Sequence, residues 1–291
     1  MRRHDRVIIV GGGPVGAISA LLLAERGIPV TLLERESDVV LDYRASTFHP
    51  PTLDLLEECG ATAALLRMGL VCPVMQYRDR REGKIAEFDL SLLRNDTGHP
   101  YRLQCEQFKL VGWAYERLAA FPGVELLRGH EAVALEQDED GVAVTAIAAG
   151  DARLFRGDYL IAADGGRSAM RHALEIDFAG FTYPEHFLVA GTRTDFKSLM
   201  PDICSVNYTA DLKSRVEPCV FGGDPDCSQC GCSISAGLHW ISGLKVAGPL
   251  RVHHLVQSSM AFGSMVTRLT PNRAELPRWS APAGLVQIEP Q

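Results

Sequence analysis

Three glycines near the start of the chain have the spacing of a phosphate-binding turn. Gly11, Gly13 and Gly16 form the pattern G-x-G-x-x-G. In such a turn the first glycine permits the bend, the second lets backbone approach a pyrophosphate, and the third lets a helix pack on a strand. Pro14 and Val15 lie within this turn, before the segment that is predicted to be helical, and the N-terminus of that helix favours negative charge. The pattern therefore predicts that these five residues bind a dinucleotide.

An acidic residue follows at a distance that suits the ribose of such a ligand. Glu34 ends an apolar segment and lies eighteen positions after Gly16. A carboxylate at this place accepts hydrogen bonds from both hydroxyls of an adenosine ribose and disfavours a 2′-phosphate. Arg35, the next residue, is included among the predicted cofactor-binding residues.

The segments around these residues must form the elements that position them. Residues 7–10 are a short β-branched run that ends at the glycines, and residues 17–26 are rich in Ala and Leu without a breaker. Residues 30–33 form a second apolar strand that ends at Glu34. The order strand, tight turn, helix, strand predicts a βαβ unit.

A second glycine turn occurs later in the chain. The apolar run YLIA at residues 159–162 leads into Asp164 and Gly165, and Arg171 follows shortly after. An aspartate there can hold a ribityl or ribose hydroxyl, while the glycine lets a cofactor lie close. The alternative is an ordinary strand-to-helix turn whose polar side chains cap the helix.

Two further segments contain candidate binding residues. Arg44 begins the stretch RASTFHPPTLDLL, and Gln107 opens an Ala- and Leu-bearing helix that runs to residue 119. Either residue has a simpler interpretation: Arg44 as a surface charge and Gln107 as a helix-start residue.

Together these motifs resemble those of the FAD-dependent aromatic hydroxylases, the para-hydroxybenzoate hydroxylase-like single-component flavoprotein monooxygenases. The resemblance is confined to the N-terminal part of the chain. It implies an α/β fold, in which a Rossmann-like FAD-binding domain of the glutathione-reductase type carries an inserted, mostly antiparallel β substrate domain. It also implies that this fold is incomplete at the C-terminus.

The same resemblance implies a chemistry. NAD(P)H would reduce FAD, the reduced flavin would capture O₂ as a peroxide, and oxygen would pass to a small phenolic or aromatic substrate. It places Arg44 near the flavin and Gln107 against the cofactor. No catalytic base is assigned, although His49, Tyr43 and Tyr183 are candidates for ionising a phenol.

The resemblance also divides the chain into segments. Residues 1–68 and 101–175 are predicted to form a discontinuous FAD-binding domain. Residues 69–100 and 176–211 are predicted to form the β layer of the substrate domain, and residues 212–291 form an atypical tail.

The tail departs from the family because it lacks the usual second flavin motif, Gly-Asp-Ala-Ala-His. It contains Cys227, Cys230 and Cys232 instead. One explanation is a metal site with Cys219 or His239 as a fourth ligand, and a second is an unfamiliar but ordered substrate domain. The favoured explanation is translation out of frame, which also accounts for the change in composition. No metal is assigned.

Composition and charge indicate a folded protein and exclude several kinds of partner. The chain has 291 residues, of which 46% are hydrophobic and 22% charged, and a net charge of −7. These values are typical of a folded protein of about two domains. No stretch concentrates Lys and Arg, so neither nucleic acid nor an anionic membrane is predicted as a partner. The glycine turn interrupts the N-terminal apolar run, which predicts a cytoplasmic location.

Two other functions remain open at this point. One is another flavoenzyme on the same fold, such as a halogenase. The other is a protein that binds FAD or NAD without redox turnover.

Overall fold

The structure is a computed structural model. It describes residues 6–41, 46–79, 81–181, 186–192, 196–211, 216–222, 232–237 and 250–257. Among the helices of these residues, none has the length and apolar character needed to cross a membrane.

The helices are α1 (Pro14–Glu25), α2 (Pro50–Glu57), α3 (Ala61–Met68), α4 (Gln107–Leu118), α5 (Ala169–Ala173) and α6 (Phe196–Leu199), with a short 3₁₀ helix at Leu90–Leu93. The strands are β1 (Val7–Val10), β2 (Val30–Glu34), β3 (Thr47–Phe48), β4 (Leu70–Cys72), β5 (Val74–Asp79), β6 (Gly83–Asp89), β7 (Arg102–Gln104), β8 (Val124–Arg128), β9 (Glu131–Asp138), β10 (Gly141–Ala148), β11 (Asp151–Gly157), β12 (Tyr159–Ala162), β13 (His186–Thr192), β14 (Val206–Asp211), β15 (Val216–Gly222), β16 (Cys232–Gly237) and β17 (Leu250–Gln257).

A parallel sheet carries the predicted βαβ unit. Its strand order is β12-β1-β2-β8, and β1 pairs in parallel with both of its neighbours. Because the strands are parallel, their carboxyl ends lie at one edge. This edge is where ligands bind in open α/β sheets.

The two faces of β1 are covered by different layers, as its unbroken apolar sequence requires. Val7 and Ile9 belong to a cluster that includes residues of α1, α2, α3 and α4. Ile8 and Val10 belong to a second cluster with residues of the antiparallel sheet β11-β10-β9, such as Val144. The strand that leads into the glycine turn is therefore held on both sides.

The end of α1 sets the direction of β2. Gly27 has a left-handed φ of +72°. Its N–H donates to the carbonyl of Ala24 (2.9 Å), and the N–H of Ile28 donates to the carbonyl of Leu23 (3.0 Å). This is the Schellman arrangement, which favours glycine because other residues are strained at positive φ. The chain then turns directly into β2.

A larger sheet joins distant parts of the chain. Its order is β17-β13-β16-β15-β14-β5-β6, and only the pairing of β14 with β5 is parallel. The short strands of a small sheet, β3-β7-β4, flank the helices α2 and α3 in sequence and precede α4. The expected combination of a parallel sheet with a mostly antiparallel one is confirmed.

The large sheet continues past residue 211, where the tail was predicted to begin. Strands β15, β16 and β17 all lie within residues 212–291. Cys219 lies in β15 and Cys232 in β16, whereas Cys227, Cys230 and His239 lie outside the described residues. The division into segments and the origin of the tail stay predictions.

Helix α2 offers a matched pair of leucines for a test of the core. Leu53 is fully buried, whereas Leu55 is 61% exposed. We expect Leu53→Ala to lower the free energy of unfolding by about 2–5 kcal/mol, because it removes buried methyl groups and leaves a cavity. Leu55→Ala should change it by no more than ~0.5 kcal/mol. Denaturant titration measures both values, and equal effects of the two substitutions would contradict the packing described here.

Candidate functional site

The predicted residues meet at the carboxyl edge of the parallel sheet. Gly11 follows β1, Glu34 is the last residue of β2, and Asp164 comes two residues after β12. Backbone hydrogen bonds continue the sheet into the turns: the Gly11 N–H donates to the Leu33 carbonyl (2.8 Å), and the Ala163 N–H donates to the Val10 carbonyl (2.7 Å). The two glycine turns, far apart in sequence, are therefore adjacent in space.

Two glycines of the first turn are required by close backbone contacts. Gly11 has a φ of +98°, and a Cβ on it would lie 2.3 Å from the carbonyl oxygen of Ala163. A Cβ on Gly16 would lie 1.8 Å from the carbonyl oxygen of Gly11. The first contact lets the Asp164 turn approach the glycine turn. The second lets α1 begin directly beneath β1.

The middle of the same turn is open and suits a phosphate group. A Cβ on Gly13 would have no atom within 4 Å. Gly13 precedes α1, Pro14 occupies the first turn of the helix, and no side chain caps it. The N–H groups of Val15 and Gly16 have no carbonyl within the helix to bind, because they belong to its first turn. This arrangement of open space and free donors fits a pyrophosphate.

A cleft of about 280 Å³ opens beside this turn. Its lining residues come from the glycine turn, the end of β2, the loop after β2 and one face of α4: Gly12, Gly13, Pro14, Glu34, Glu36, Asp38, Val39, Val40, Gln107, Phe108, Val111 and Tyr115. Of the predicted residues, the cleft brings together Gly13, Pro14, Glu34 and Gln107.

The carboxylate of Glu34 is held in a fixed orientation. Its Oε2 accepts a hydrogen bond from the Gly12 N–H (2.6 Å), and its Oε1 accepts one from the Glu36 N–H (2.8 Å). A carboxylate has about four lone-pair sites, so both oxygens can still accept further hydrogen bonds. The group fits the two hydroxyls of a ribose.

Asp164 binds the helix that follows it. Its Oδ1 accepts from the Ser168 hydroxyl (2.6 Å) and its Oδ2 accepts from the Met170 N–H (3.1 Å). Ser168 in turn caps α5 by accepting from the Arg171 N–H (2.9 Å). These are the contacts of the alternative interpretation, a capped strand-to-helix turn. Neither Asp164 nor Gly165, which has a φ of +82°, lines the cleft.

The two arginines of the prediction are placed differently. The side chain of Arg35 is 69% exposed and pairs with Glu36, with 3.2 Å between Nε and Oε1. Arg35 is not part of the cleft lining. Arg44 lies outside the described residues, as do Tyr43 and Tyr183.

His49, the remaining candidate base, belongs to a cluster between the small and large sheets. Nη1 of Arg102 donates to the Tyr208 hydroxyl (2.7 Å), and Nη2 lies 3.4 Å from Nε2 of His49. The Tyr208 ring stacks on Tyr77 with 4.9 Å between centroids. The buried Nε of Arg102 has no hydrogen-bond partner among the described residues. Burial, followed by the charge of Arg102, lowers the pKa of His49, so its imidazole is mainly neutral at pH 7.

Gly12 and the aromatic residues of the cleft, Phe108 and Tyr115, are not among the predicted residues. Gln107, Val111 and Tyr115 are spaced by four along α4, so they share one helix face. That spacing is visible in the sequence, and extending the prediction from Gln107 along the face would have found Tyr115. The G-x-G-x-x-G pattern leaves the position of Gly12 free, so it does not single out this residue.

A comparison with known protein families identifies the domain. The family model described as an FAD binding domain matches residues 5–215. The chain belongs to this family. The family expected from the motifs is thus confirmed, and FAD is the cofactor of this domain. The open turn at Gly13 and the oriented carboxylate of Glu34 fit the pyrophosphate and a ribose of FAD.

Curated relatives of the chain are named as monooxygenases. A para-nitrophenol 4-monooxygenase of Pseudomonas sp. (strain WBC-3) is 33% identical over 196 residues, which are 67% of this chain and 49% of the relative. The 6-hydroxy-3-succinoylpyridine 3-monooxygenase HspB of Pseudomonas putida (strain DSM 28022 / S16) is 36% identical over 200 residues, 68% of this chain and 51% of the relative. The chain spans about half the length of these two relatives.

Solved structures agree with the fold. The p-nitrophenol 4-monooxygenase PnpA from Pseudomonas putida DLL-E4 has a TM-score of 0.74 and 30% identity, covering 81% of this chain and 58% of its own. The flavin-dependent monooxygenase PieE, solved with FAD and substrate, has a TM-score of 0.71 at 22% identity, covering 83% of this chain and 44% of its own. At that identity the second likeness supports the fold alone.

Gly11 and Gly13 should respond differently to the same substitution. Gly11→Ala forces a side chain into positive φ and against the Ala163 carbonyl, so we expect the free energy of unfolding to fall by more than ~2 kcal/mol. Gly13 has a φ of −63° and a ψ of −176°, so Gly13→Ala should cost less than ~1 kcal/mol. Chemical denaturation without FAD measures both, and similar losses for the two variants would refute the described turn.

His49 should make the fold less stable in acid. Its lowered pKa means that the unfolded chain takes up the proton first as pH falls through the ordinary value of 6.5, so stability is lost below that pH. We expect the drop in melting temperature between pH 8 and pH 5 to be smaller in His49→Gln than in the unmodified chain. The matched control is His172→Gln, which changes an exposed histidine. An unchanged or larger drop in His49→Gln would contradict the assignment.

Proposed function

We propose that the protein is an FAD-dependent monooxygenase that hydroxylates a small phenolic or aromatic substrate with NAD(P)H and O₂. One observation carries the proposal. In the cleft, the open turn at Gly13 lies beside the oriented carboxylate of Glu34, and the two fit a pyrophosphate and a ribose. The names of the relatives supply the reaction class, since they act on a nitrophenol and on a hydroxylated pyridine.

The residues in the cleft and in the adjacent glycine turn have distinct roles in this proposal. Gly13, Pro14 and Val15 place the pyrophosphate at the N-terminus of α1, where free N–H groups and the helix dipole stabilise negative charge. Glu34 binds the ribose of the adenosine half. Gln107, at the start of α4, contacts the cofactor from the opposite wall. Gly11 and Gly16 have an indirect role, because their close backbone contacts shape the turn.

The remaining predicted residues are assigned to the flavin half or to the rim. Asp164 and Gly165 follow β12 beside the glycine turn and are proposed to approach the ribityl chain, with the carboxylate held by Ser168 and Met170. Arg44 is proposed to lie near the flavin. Arg35, which is exposed beside Glu36, is proposed to contact the cofactor only at the rim of the site.

Bound FAD would supply the electron transfer and the activation of oxygen. The chain's own contribution is to bind, orient and cover the cofactor. We assign the cover to the large, mostly antiparallel sheet, with residues 69–100 and 176–211 as its core. The small substrate and O₂ are the proposed partners, with neither nucleic acid nor a membrane among them, and the cytoplasm is the proposed location.

The proposal is tested by flavin uptake followed by turnover. The purified chain is mixed with FAD, passed through gel filtration and examined for visible flavin absorbance. We expect flavin to elute with the protein, and oxidation of NADH or NADPH to speed up when phenols are added. Protein that elutes without flavin contradicts the proposed site. Bound flavin without any consumption of NAD(P)H supports the alternative, a nucleotide-binding protein without redox turnover.

A glycine variant locates the site. Gly13→Val fills the open space beside the turn, so we expect FAD affinity to fall by more than about tenfold, because the backbone can no longer approach the pyrophosphate. The matched control is Gly112→Ala on α4, a glycine that also has open space but does not line the cleft. Fluorescence titration with FAD measures both. Equal affinities of the two variants would place the pyrophosphate elsewhere.

A further inference from the structure

The structure singles out a contact between α4 and the glycine turn. The Tyr115 hydroxyl donates a hydrogen bond to the Gly12 carbonyl oxygen (2.8 Å) across 103 positions of sequence. On the other side of the same residue, the Gly12 N–H donates to Glu34 (2.6 Å). Gly12 is therefore held by one side chain at its carbonyl and by another at its amide.

This contact explains why a fourth glycine, Gly12, stands in the turn. A Cβ on Gly12 would lie 2.0 Å from the Tyr115 hydroxyl oxygen and 2.9 Å from Cβ of Glu34. A methyl group there would force the Tyr115 hydroxyl away from its hydrogen bond to the Gly12 carbonyl and would crowd the side chain of Glu34. Gly12 has no left-handed φ that would demand glycine, so the demand comes from its two neighbours.

The direction of the hydrogen bond is fixed by chemistry. A carbonyl oxygen can only accept, so the phenol must stay protonated in order to donate. Burial, followed by the nearby charge of Glu34, raises the pKa of Tyr115. The hydroxyl therefore stays protonated, and can donate, at neutral pH.

We propose that Tyr115 is a positioning residue for the cofactor, a function that rests on the proposed binding of FAD in this cleft. It holds the peptide between Gly12 and Gly13, and since that peptide is planar and trans, the direction of the Gly13 N–H is set with it. The contact thus connects α4 with the phosphate-binding turn and, through Gly12, with the carboxylate of Glu34 that is proposed to bind the ribose. We name this set, Tyr115, Gly12 and Glu34, the Gly12 clamp.

The clamp lowers the cost of binding because it orders the turn before the cofactor arrives. A loop that must be ordered on binding loses affinity, whereas one already in the bound geometry does not. Tyr115→Phe keeps the ring and removes the donor. We expect the FAD dissociation constant to rise ~3- to 10-fold, the change typical for the loss of one hydrogen bond.

The first measurement is a fluorescence titration of the full chain with FAD. The matched control is Tyr101→Phe, because Tyr101 packs against the same hydrophobic cluster as Tyr115 but does not line the cleft. We expect weaker binding in Tyr115→Phe and unchanged binding in Tyr101→Phe. If unmodified chain binds FAD and Tyr115→Phe binds it equally well, the clamp is refuted while the proposed function stands.

The second measurement tests whether Tyr115→Phe restores FAD affinity that Gly12→Ala has lowered. Gly12→Ala should weaken FAD binding by more than tenfold, because its methyl group collides with the Tyr115 oxygen. In Gly12→Ala/Tyr115→Phe that oxygen is gone, so part of the affinity should return, although Cβ of Glu34 remains close. Two substitutions that merely destabilised the fold would weaken binding further when combined. A double variant that binds no better than Gly12→Ala overturns the proposal.

The third measurement uses no cofactor. Hydrogen exchange of the peptide spanning residues 7–18 is followed by mass spectrometry in unmodified chain, Tyr115→Phe and Tyr101→Phe. We expect faster exchange in Tyr115→Phe alone, because the Gly12 amide loses its fixed position against Glu34. Unchanged exchange overturns the clamp even if the chain takes up no FAD. Failure of FAD uptake with faster exchange supports the clamp and refutes the proposed function.

Discussion

The pairing of β1 with its two parallel neighbours is the constraint on which the site depends. The Gly11 N–H continues the ladder to β2 through the Leu33 carbonyl, and the Ala163 N–H continues the ladder to β12 through the Val10 carbonyl. These bonds bring two turns to one edge although about 150 positions separate them in sequence. They also force the backbone of the turns so close that only glycine fits at Gly11.

Packing on both faces of β1 makes the ligand-binding edge of the sheet rigid. Alternate side chains of β1 enter different hydrophobic clusters, Ile9 on the side of the helices and Ile8 on the side of β10, and both are fully buried. Because both faces are closed, the strand cannot shift without opening a cluster. The glycine turn that follows β1 is therefore held in place. The Gly12 clamp connects this turn to α4.

The polar groups of the cleft are distributed as the adenosine half of a dinucleotide requires, with donors for its phosphate and acceptors for its ribose hydroxyls. Free N–H groups at the start of α1 provide positive potential for phosphate. Glu34 provides acceptors for hydroxyl groups, and Glu36 and Asp38 line the same side of the cleft. Donors and acceptors are thus separated within one small volume, which sets the orientation in which a nucleotide can enter.

Local spacing was enough to predict the βαβ unit. Strands β1 and β2 have the bounds that their apolar runs predicted, apart from the inclusion of Glu34 in β2, and α4 begins at Gln107 as expected. Helix α1 begins at Pro14, three residues before the predicted start, because proline suits the first turn of a helix. Such features depend on neighbours within a few residues, which a single sequence displays.

The sequence by itself therefore determined the family, the fold class and the βαβ unit with its glycine turn. Only the tertiary structure decided that the Asp164 carboxylate binds α5, that Tyr115 holds Gly12, and that β5 pairs with β14. The physical reason is distance along the chain. These contacts depend on how whole elements pack, and side chains of the same type in the same local pattern are compatible with several such packings.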